Sequence, residues 1–401
     1  MAAQRAPRRN RLHPDDGIDA ALTRIRGRSP IHRPNVRRLA QFAALNKCPT
    51  AGVAFAAGVD TNRLFAGTSL QMPFGQSSFA IARGISFENH LRRNDYAQLR
   101  SVLTEGYSVD FSTARIEDLR RGYPKNLAGM ARRASVTRGL LVDIVSRGVG
   151  PVVLDGAVLA GDIGGVPSFF EADEIAIGIG GAVAVGEEKS WPIVDGRAVD
   201  EDALGAALDQ QATYVLLGRQ TLDSAGLDPH LLSSDAALIN PRNTGLTPVL
   251  HHHNVEGRVR RIERLLAAVP AVSDIAASVP SSVTFDRVGD SSLSEGERFD
   301  AFSLVAETIG VEYEPGVCLS TCGLAAACRR RAFARGDVSL AGGLSSRALP
   351  GVADLGRAAE LSRGAAPNES EAAAARLIAR AGALYDDASL LSTAGRPGGR
   401  I

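Results

Sequence analysis

The sequence predicts an α/β protein, and three observations carry that reading. Residues 151–189 run at strand period, with apolar stretches separated by glycine turns, as an antiparallel meander does. Helical patterns lie before it, at 77–93 and 136–145, and after it, from Asp200 to Leu217. A further strand pattern, Ala236-Leu-Ile-Asn-Pro, follows that last helix. Helix, meander and helix together make an α/β sandwich.

The 401 residues can hold one large domain or two to three small ones, and 45% hydrophobic content is ordinary for a folded chain. No apolar run reaches the roughly 18 residues of a membrane span. The N-terminal MAAQRAPRRNRLHPDDG has no apolar segment behind its basic residues, as a secretory signal would. A cytoplasmic protein without membrane contact is the expectation.

Taken in order, residues 1–34 are basic and proline-containing and are expected to lack order. A helix is predicted from Asn35, a plausible N-cap, to about Asn46, with Val36, Leu39, Ala40, Ala43 and Ala44 as its apolar stripe. It stops at Cys48-Pro49, and Gly52 to Ala57 with Leu64-Phe65-Ala66 read as short strands or buried loop. The helix from Ser77 has Phe79, Ile81, Ile85 and Leu91 as apolar positions and carries Glu88 and His90 just past Gly84. Ile116 to Leu119 and Val136 to Val145 read as further helices. In the meander, Asp155-Gly156 and Gly164-Gly165 read as turns leading into a hairpin from Phe170 to Trp191. After residue 235 come the His251 to His253 run, to which no role is assigned, and an Arg-rich helix from Val255 to Leu266. A loop over 270–298 leads to a helix from Glu297 to Ile309 and then to a cysteine cluster. The Gly/Ala/Arg-rich tail, 341–401, has one helix, Glu369 to Ala383, capped by Asn368 with Glu371 three residues on, and disorder is expected beyond Thr393.

The hairpin carries the chemistry. Residues i and i+2 of a strand share a face, so Glu187 and Lys189 point the same way and Asp173 on the neighbouring strand can face them. Two carboxylates on adjacent strands can hold a cation such as Mg²⁺ through oxygen, and an ammonium beside it can position or activate a bound water. Only three of the 45 basic residues are lysines, Lys47, Lys125 and Lys189, so a chain that otherwise uses arginine has a compact, tunable charge at this point. An exposed strand pair joined by a weak salt bridge would give the same letters. On the following helix Gln210 and Tyr214 stand four apart, on one face.

The four cysteines form the second constellation. Cys318, Cys322 and Cys328 fall within eleven residues, and Cys48 lies 270 residues before the first of them. Four thiolates can hold zinc or an iron–sulfur cluster, and a three-plus-one spacing favours [4Fe–4S] over the paired hooks usual for zinc. Arginines gather at Arg5 to Arg11, Arg24 to Arg38, Arg120 to Arg133 with Lys125, Arg258 to Arg264, and Arg329 to Arg335. They would bind phosphate if several faced one groove; solvated helix faces balanced by the 44 acids are the other reading.

In chain order stand an early Cys48, Gly84-x-x-x-Glu88, Asp173 with Glu187-x-Lys189, Gln210-x-x-x-Tyr214, and a closing three-cysteine cluster. This order resembles RecB-like nucleases of the PD-(D/E)xK superfamily, in the iron–sulfur branch that includes the CRISPR-associated RecB-like exonucleases and the AddB nuclease domain. The resemblance spans about residues 40–335. It implies a restriction-endonuclease-like core, a central mixed sheet flanked by helices, with helical, cysteine-bearing flanks. The nuclease domain would cover 35–340 and its core about 75–230. By resemblance, Asp173, Glu187, Glu88 and the backbone carbonyl of Glu188 would bind Mg²⁺ or Mn²⁺, and Lys189 would position or activate water. Gln210 and Tyr214 would organise the site and contact DNA, and Cys48, Cys318, Cys322 and Cys328 would hold a [4Fe–4S] cluster.

The chain departs from the pattern in places. Cys318 and Cys322 are separated by three residues where two are expected, His90 is an alternative to Glu88, and Glu171 is an alternative to Asp173. No G-x-x-x-x-G-K-[ST] loop is present, which makes the chain a standalone nuclease or a subunit working beside a helicase or other repair or defence component. The implied activity is hydrolysis of DNA, single-stranded or at ends, more as an exonuclease than an endonuclease. The alternative function is a catalytically inactive, Fe–S- or Zn-stabilised DNA-binding scaffold.

Overall fold

The computed structural model describes residues 14–394 except 33–35, 46–47, 74–77, 125, 164–165, 179–180, 195–196, 199, 244, 268–271, 337, 339–346 and 348. Asn35, Lys47, Lys125, the Gly164-Gly165 turn and the Arg5 to Arg11 group lie outside the described residues, as do the last seven positions. The chain divides into two compact units. One comprises 33–43 and 75–274; the other comprises 1–32, 44–74 and 275–401.

The first unit is built on a six-stranded mixed sheet in the order β1-β2-β3-β4-β7-β8. Its strands are β1 Arg115–Asp118, β2 Val152–Ile163, β3 Val166–Ile177, β4 Val183–Glu188, β7 Asp235–Pro241 and β8 Pro248–Asn254, with β5 Ile193–Val194 and β6 Arg197–Ala198 as a separate ribbon. β2, β3 and β4 form the antiparallel meander, while β1 joins β2 and β7 joins β4 in parallel. Parallel pairing needs a crossover, and helices α5 (Leu127–Arg147) and α6 (Glu201–Asp223) supply the two. Asp200 caps α6 through its side chain, 2.9 Å from the Ala203 amide.

Helix α2 (Val36–Ala44) forms where the apolar stripe after Asn35 predicts it. The register divides the sheet into two faces. Val153, Ala176 and Ile239 turn to α4 (Ser78–Tyr107), packing with its Phe87, Leu91, Leu99, Val102 and Leu103. The other face takes α5 and α6. Helix α4 is broken where Asn94, Asp95 and Tyr96 adopt φ of 51°, 54° and 61°. Left-handed backbone costs a non-glycine residue about 1–2 kcal/mol, so a run of three needs support. Tyr96 donates to Asp155 at 2.8 Å, and the Arg100 guanidinium donates to the Asp95 carbonyl at 2.9 Å.

Three local expectations fail here for physical reasons. Ile116 to Leu119 is not helical, because Arg115–Asp118 pairs residue for residue with Val152–Asp155 and the sheet edge overrides a short ambiguous run. Asp155-Gly156 is not a turn: β2 runs unbroken through it, Gly156 has φ 68°, and a Cβ there would collide with Arg120. Phe79, Ile81 and Ile85 are exposed, and the buried positions of α4 begin at Phe87. The His251 to His253 run lies on β8 at the sheet edge.

The second unit is helical. Helix α1 (Pro14–Arg26) forms where the sequence predicts no order, its Leu22 and Ile25 buried. Helix α3 (Pro49–Ala56) replaces the expected strand or loop, with proline at its first turn. α9 (Glu295–Ile309) has a Ser294–Glu297 capping box. The cysteine cluster spans α10 (Pro315–Thr321) and α11 (Ala325–Arg335). α8 (Val272–Ser278), α12 (Leu355–Ser362) and α13 (Ala372–Ala394) are the other helices after the first unit's α7 (Glu256–Ala267), and Asn368 and Glu371 exchange hydrogen bonds just before α13. Among the described residues no helix is long and apolar enough to cross a membrane.

Gly156 and Gly84 separate backbone strain from helix propensity. Gly156→Ala forces an L side chain into left-handed backbone and against Arg120, and is expected to destabilise by about 1–3 kcal/mol. Gly84 lies in α4 with open space around its Cα, so Gly84→Ala should be neutral or stabilising by up to about 1 kcal/mol. Urea unfolding monitored by circular dichroism measures both.

Candidate active site

The meander brings the hairpin groups together. Glu174 pairs with Gly186 across β3 and β4, which sets Asp173 opposite Glu187 one step further on. The Glu188 amide donates to Asp173 Oδ2 at 2.9 Å, locking that register. Lys189 Nζ hydrogen-bonds Glu187 Oε1 and lies 3.3 Å from Gln210 Oε1. Gln210 Nε2 donates to the Tyr214 hydroxyl at 2.7 Å, and that hydroxyl donates to the Glu171 carbonyl at 2.5 Å. Glu187, Lys189, Gln210 and Tyr214 thus form one hydrogen-bonded group on the α6 face, with Asp173 opposite Glu187 in register. Glu187 is 2% exposed, while the Lys189 side chain is 26% exposed and Asp173 18%, so the group opens to solvent on one side.

Glu88 on α4 joins electrostatically: burial first, then the charge of Asp173, raises its pKa. His90 sits two residues on, a little over half a helical turn round from Glu88. The Glu188 side chain takes the opposite face from Glu187, where Arg92 holds it at 2.8 Å. Glu171, the alternative to Asp173, accepts from Arg120 at 2.8 Å and Arg133 at 3.1 Å.

Sequence reasoning missed the cations and the acid that anchor this group. Asp155, 1% exposed, accepts from Arg92 at 2.8 and 3.1 Å, from Tyr96 at 2.8 Å and from Arg120 at 3.0 Å. Arg120 also reaches Asp173 Oδ1 at 2.9 Å. The available signal was an aspartate inside an apolar strand, Val152-Val-Leu-Asp-Gly, since a buried carboxylate needs a partner.

Electrostatically the site is short of positive charge. Burial, followed by the charge of Asp173, pushes the Glu187 carboxyl up to about 8 despite Lys189. Glu187 Oε2 is buried and accepts no hydrogen bond, as are Glu188 Oε1 and both oxygens of Glu174. Glu174, fully buried beside Glu188, is held well above the ordinary carboxylate range by desolvation and then by that neighbour. Gly186 makes room for it, since a Cβ there would collide with the Glu174 carboxyl. Burial alone would lower the Lys189 pKa, but Glu187 and Asp173 outweigh it and raise the value, so the group is an ammonium at neutral pH.

In the helical unit the four cysteines are unpaired, Cys48 half-buried and Cys318, Cys322 and Cys328 buried. Burial raises the pKa of the latter three, Cys322 to about 12, and the charges of Cys48 and of one another add to the rise. The thiols are therefore within electrostatic reach of one another. Among the described residues, however, no three His, Cys, Asp or Glu side chains converge tightly enough to hold a metal ion as they stand. At the hairpin, Arg120 and Lys189 occupy carboxylate oxygens that such an ion would need.

The shift at Glu187 fixes a pH dependence. Its unfolded value is near 4.5; between that and about 8 the folded protein binds a proton that the unfolded chain has lost. This stability is full below 4.5 and is lost as pH rises through 8. In EDTA, unfolding free energy should fall from pH 5 to pH 8, and Glu187→Gln should flatten the slope, as followed by guanidinium titration.

No family model matches the chain, and no curated protein matches it. Among solved structures, one described as a "putative exonuclease" from Eubacterium rectale aligns with 69% of this chain and 88% of its own, at 11% identity and a TM-score of 0.30.

Proposed function

We propose that the protein is a metal-dependent nuclease that hydrolyses DNA phosphodiester bonds at the hairpin site. The observation that carries this reading is Glu187 Oε2, a buried carboxylate oxygen without a partner, beside Asp173, Lys189 and a Gln210–Tyr214 pair. An orphaned buried oxygen among acids fits a hard cation. Asp173 and Glu187, with Glu88 and the Glu188 backbone carbonyl, would hold Mg²⁺ or Mn²⁺, which when bound polarises a phosphoryl oxygen and acidifies water. Lys189, held as an ammonium by Glu187 and Asp173, would position or activate the attacking water. Gln210 steadies that ammonium, and Tyr214 steadies Gln210 from the Glu171 carbonyl.

The mixed α/β sheet with its meander, crossover helix α6 and parallel β7 supports a restriction-endonuclease-like core. DNA is the proposed substrate, single-stranded or at ends, with cleavage from an end. The spacing of Cys318, Cys322 and Cys328 and their electrostatic coupling with Cys48 support a [4Fe–4S] cluster in the helical unit, which would bind the four as thiolates.

Two experiments test this reading. End-labelled single- and double-stranded DNA incubated with protein and Mn²⁺ should be degraded, with EDTA abolishing the reaction. Glu187→Gln and Lys189→Ala should each slow cleavage by about a hundredfold or more; unchanged rates in both would remove the site. Anaerobically purified protein should be brown and contain iron, and Cys328→Ser should lose colour and iron together, whereas a colourless zinc protein would contradict the cluster.

A further inference from the structure

Arg120 occupies an unusual position. It follows β1, whose pairing with β2 ends at Asp118–Asp155; beyond that point side chains of α5 take over, Thr137 accepting from the Val158 amide and Arg133 donating to the Gly156 carbonyl. The loop is pinned there: the Leu119 amide donates to the Asp155 carbonyl at 2.9 Å, and the Arg120 amide donates to Asp118 Oδ1 at 3.0 Å. The side chain then crosses β2 over Gly156, where any Cβ would block it, and a single guanidinium meets three acids from two strands. It reaches Asp155 Oδ1 at 3.0 Å, Glu171 Oε1 at 2.8 Å and Asp173 Oδ1 at 2.9 Å. Asp155 is itself fixed by Arg92 and Tyr96 across the left-handed turn of α4. The Arg120 side chain is 27% exposed, so it stands at the open side of the site.

Two consequences follow from charge and geometry. Asp173 has both oxygens engaged, one by Arg120 and the other by the Glu188 amide, so a divalent ion there would share an oxygen with one of these donors or displace it. A fixed positive charge beside a cation site also weakens cation binding directly. Yet Asp155 and Glu171 would still hold the guanidinium if Asp173 were released, leaving its free N–H edge at the solvent-facing rim. We propose that Arg120 is the positioning residue of the cation site. It aligns Asp173, restrains the affinity of the site for its divalent ion, and faces the substrate phosphate once that ion has taken its place. This inference rests on the proposed nuclease reading.

The test uses the full-length protein and Mn²⁺ as probe, with free Mn²⁺ measured by electron paramagnetic resonance in the absence of DNA. Arg120→Gln removes the charge and should bind Mn²⁺ about tenfold more tightly than wild type. Arg120→Lys keeps the charge and should stay within about threefold. With saturating Mn²⁺, Arg120→Gln should lower kcat and raise the KM for DNA, and Arg120→Lys should restore KM more than kcat, because lysine restores charge but not the planar fork. Circular dichroism melts select folded variants; if Arg120→Gln does not fold, Gly156→Ser, which crowds the same guanidinium, replaces it, tighter Mn²⁺ binding than wild type then supporting the proposal and unchanged binding overturning it. Mn²⁺ binding by Arg120→Gln no tighter than by wild type overturns the proposal while leaving the nuclease reading standing. Absence of Mn²⁺ binding in wild type and every variant overturns both.

Discussion

Like charges forced together on adjacent strands govern the first unit. Asp155 on β2, Glu171, Asp173 and Glu174 on β3, and Glu187 and Glu188 on β4 lie within a few residues of one another in register. Glu88 approaches from α4. Arg92, Arg120, Arg133 and Lys189 are the basic groups bonded to them among the described residues. Fully ionised, the acids would outnumber these cations, and burying unpaired charge is costly. The structure answers the deficit by raising carboxyl pKa values and by leaving oxygens of Glu174, Glu187 and Glu188 without partners. Such an arrangement has little to offer stability. It is poised to accept positive charge.

The surrounding fold is arranged to hold that tension in place. Gly186 clears space for Glu174, Gly156 lets Arg120 cross the sheet edge, and three left-handed residues in α4 aim Tyr96 at Asp155. Each sacrifices local preference for the placement of a charged group, and strain of this kind collects at functional sites. The arginine clusters take on a different meaning in this setting. Arg120 and Arg133 serve the acids of the sheet, Arg258 and Arg261 both bind Asp209, and Arg331 and Arg335 bind Glu307. These arginines are engaged by acids of the chain itself, so arginine count alone does not mark a DNA-binding surface.

What the sequence made legible is what period and spacing encode. Glu187 and Lys189 share a face because strand period is two, and Gln210 and Tyr214 meet because helix period is near four; both relations hold in space. The meander, α6 and β7 were likewise readable from apolar pattern. Illegible were features that depend on partners distant in sequence. Arg115–Asp118 is a strand only because β2 lies beside it, and Gly156 is a crossing point only because Arg120 passes over it. Pro49–Ala56 had too few residues and too even a polarity to declare itself a helix. The cysteines illustrate the boundary: spacing brought three together, while the approach of Cys48 needed the helical unit to fold.

The claim beneath this account is that the carboxylates of β3 and β4 are the seat of a divalent cation. Crystals soaked in Mn²⁺ and measured at a wavelength where manganese scatters anomalously would locate it directly. The account predicts a peak within coordination distance of both Asp173 and Glu187, with the Arg120 guanidinium withdrawn from Asp173. Full-occupancy Mn²⁺ elsewhere in the protein, with Arg120 still on Asp173 and no density at Glu187, would contradict it.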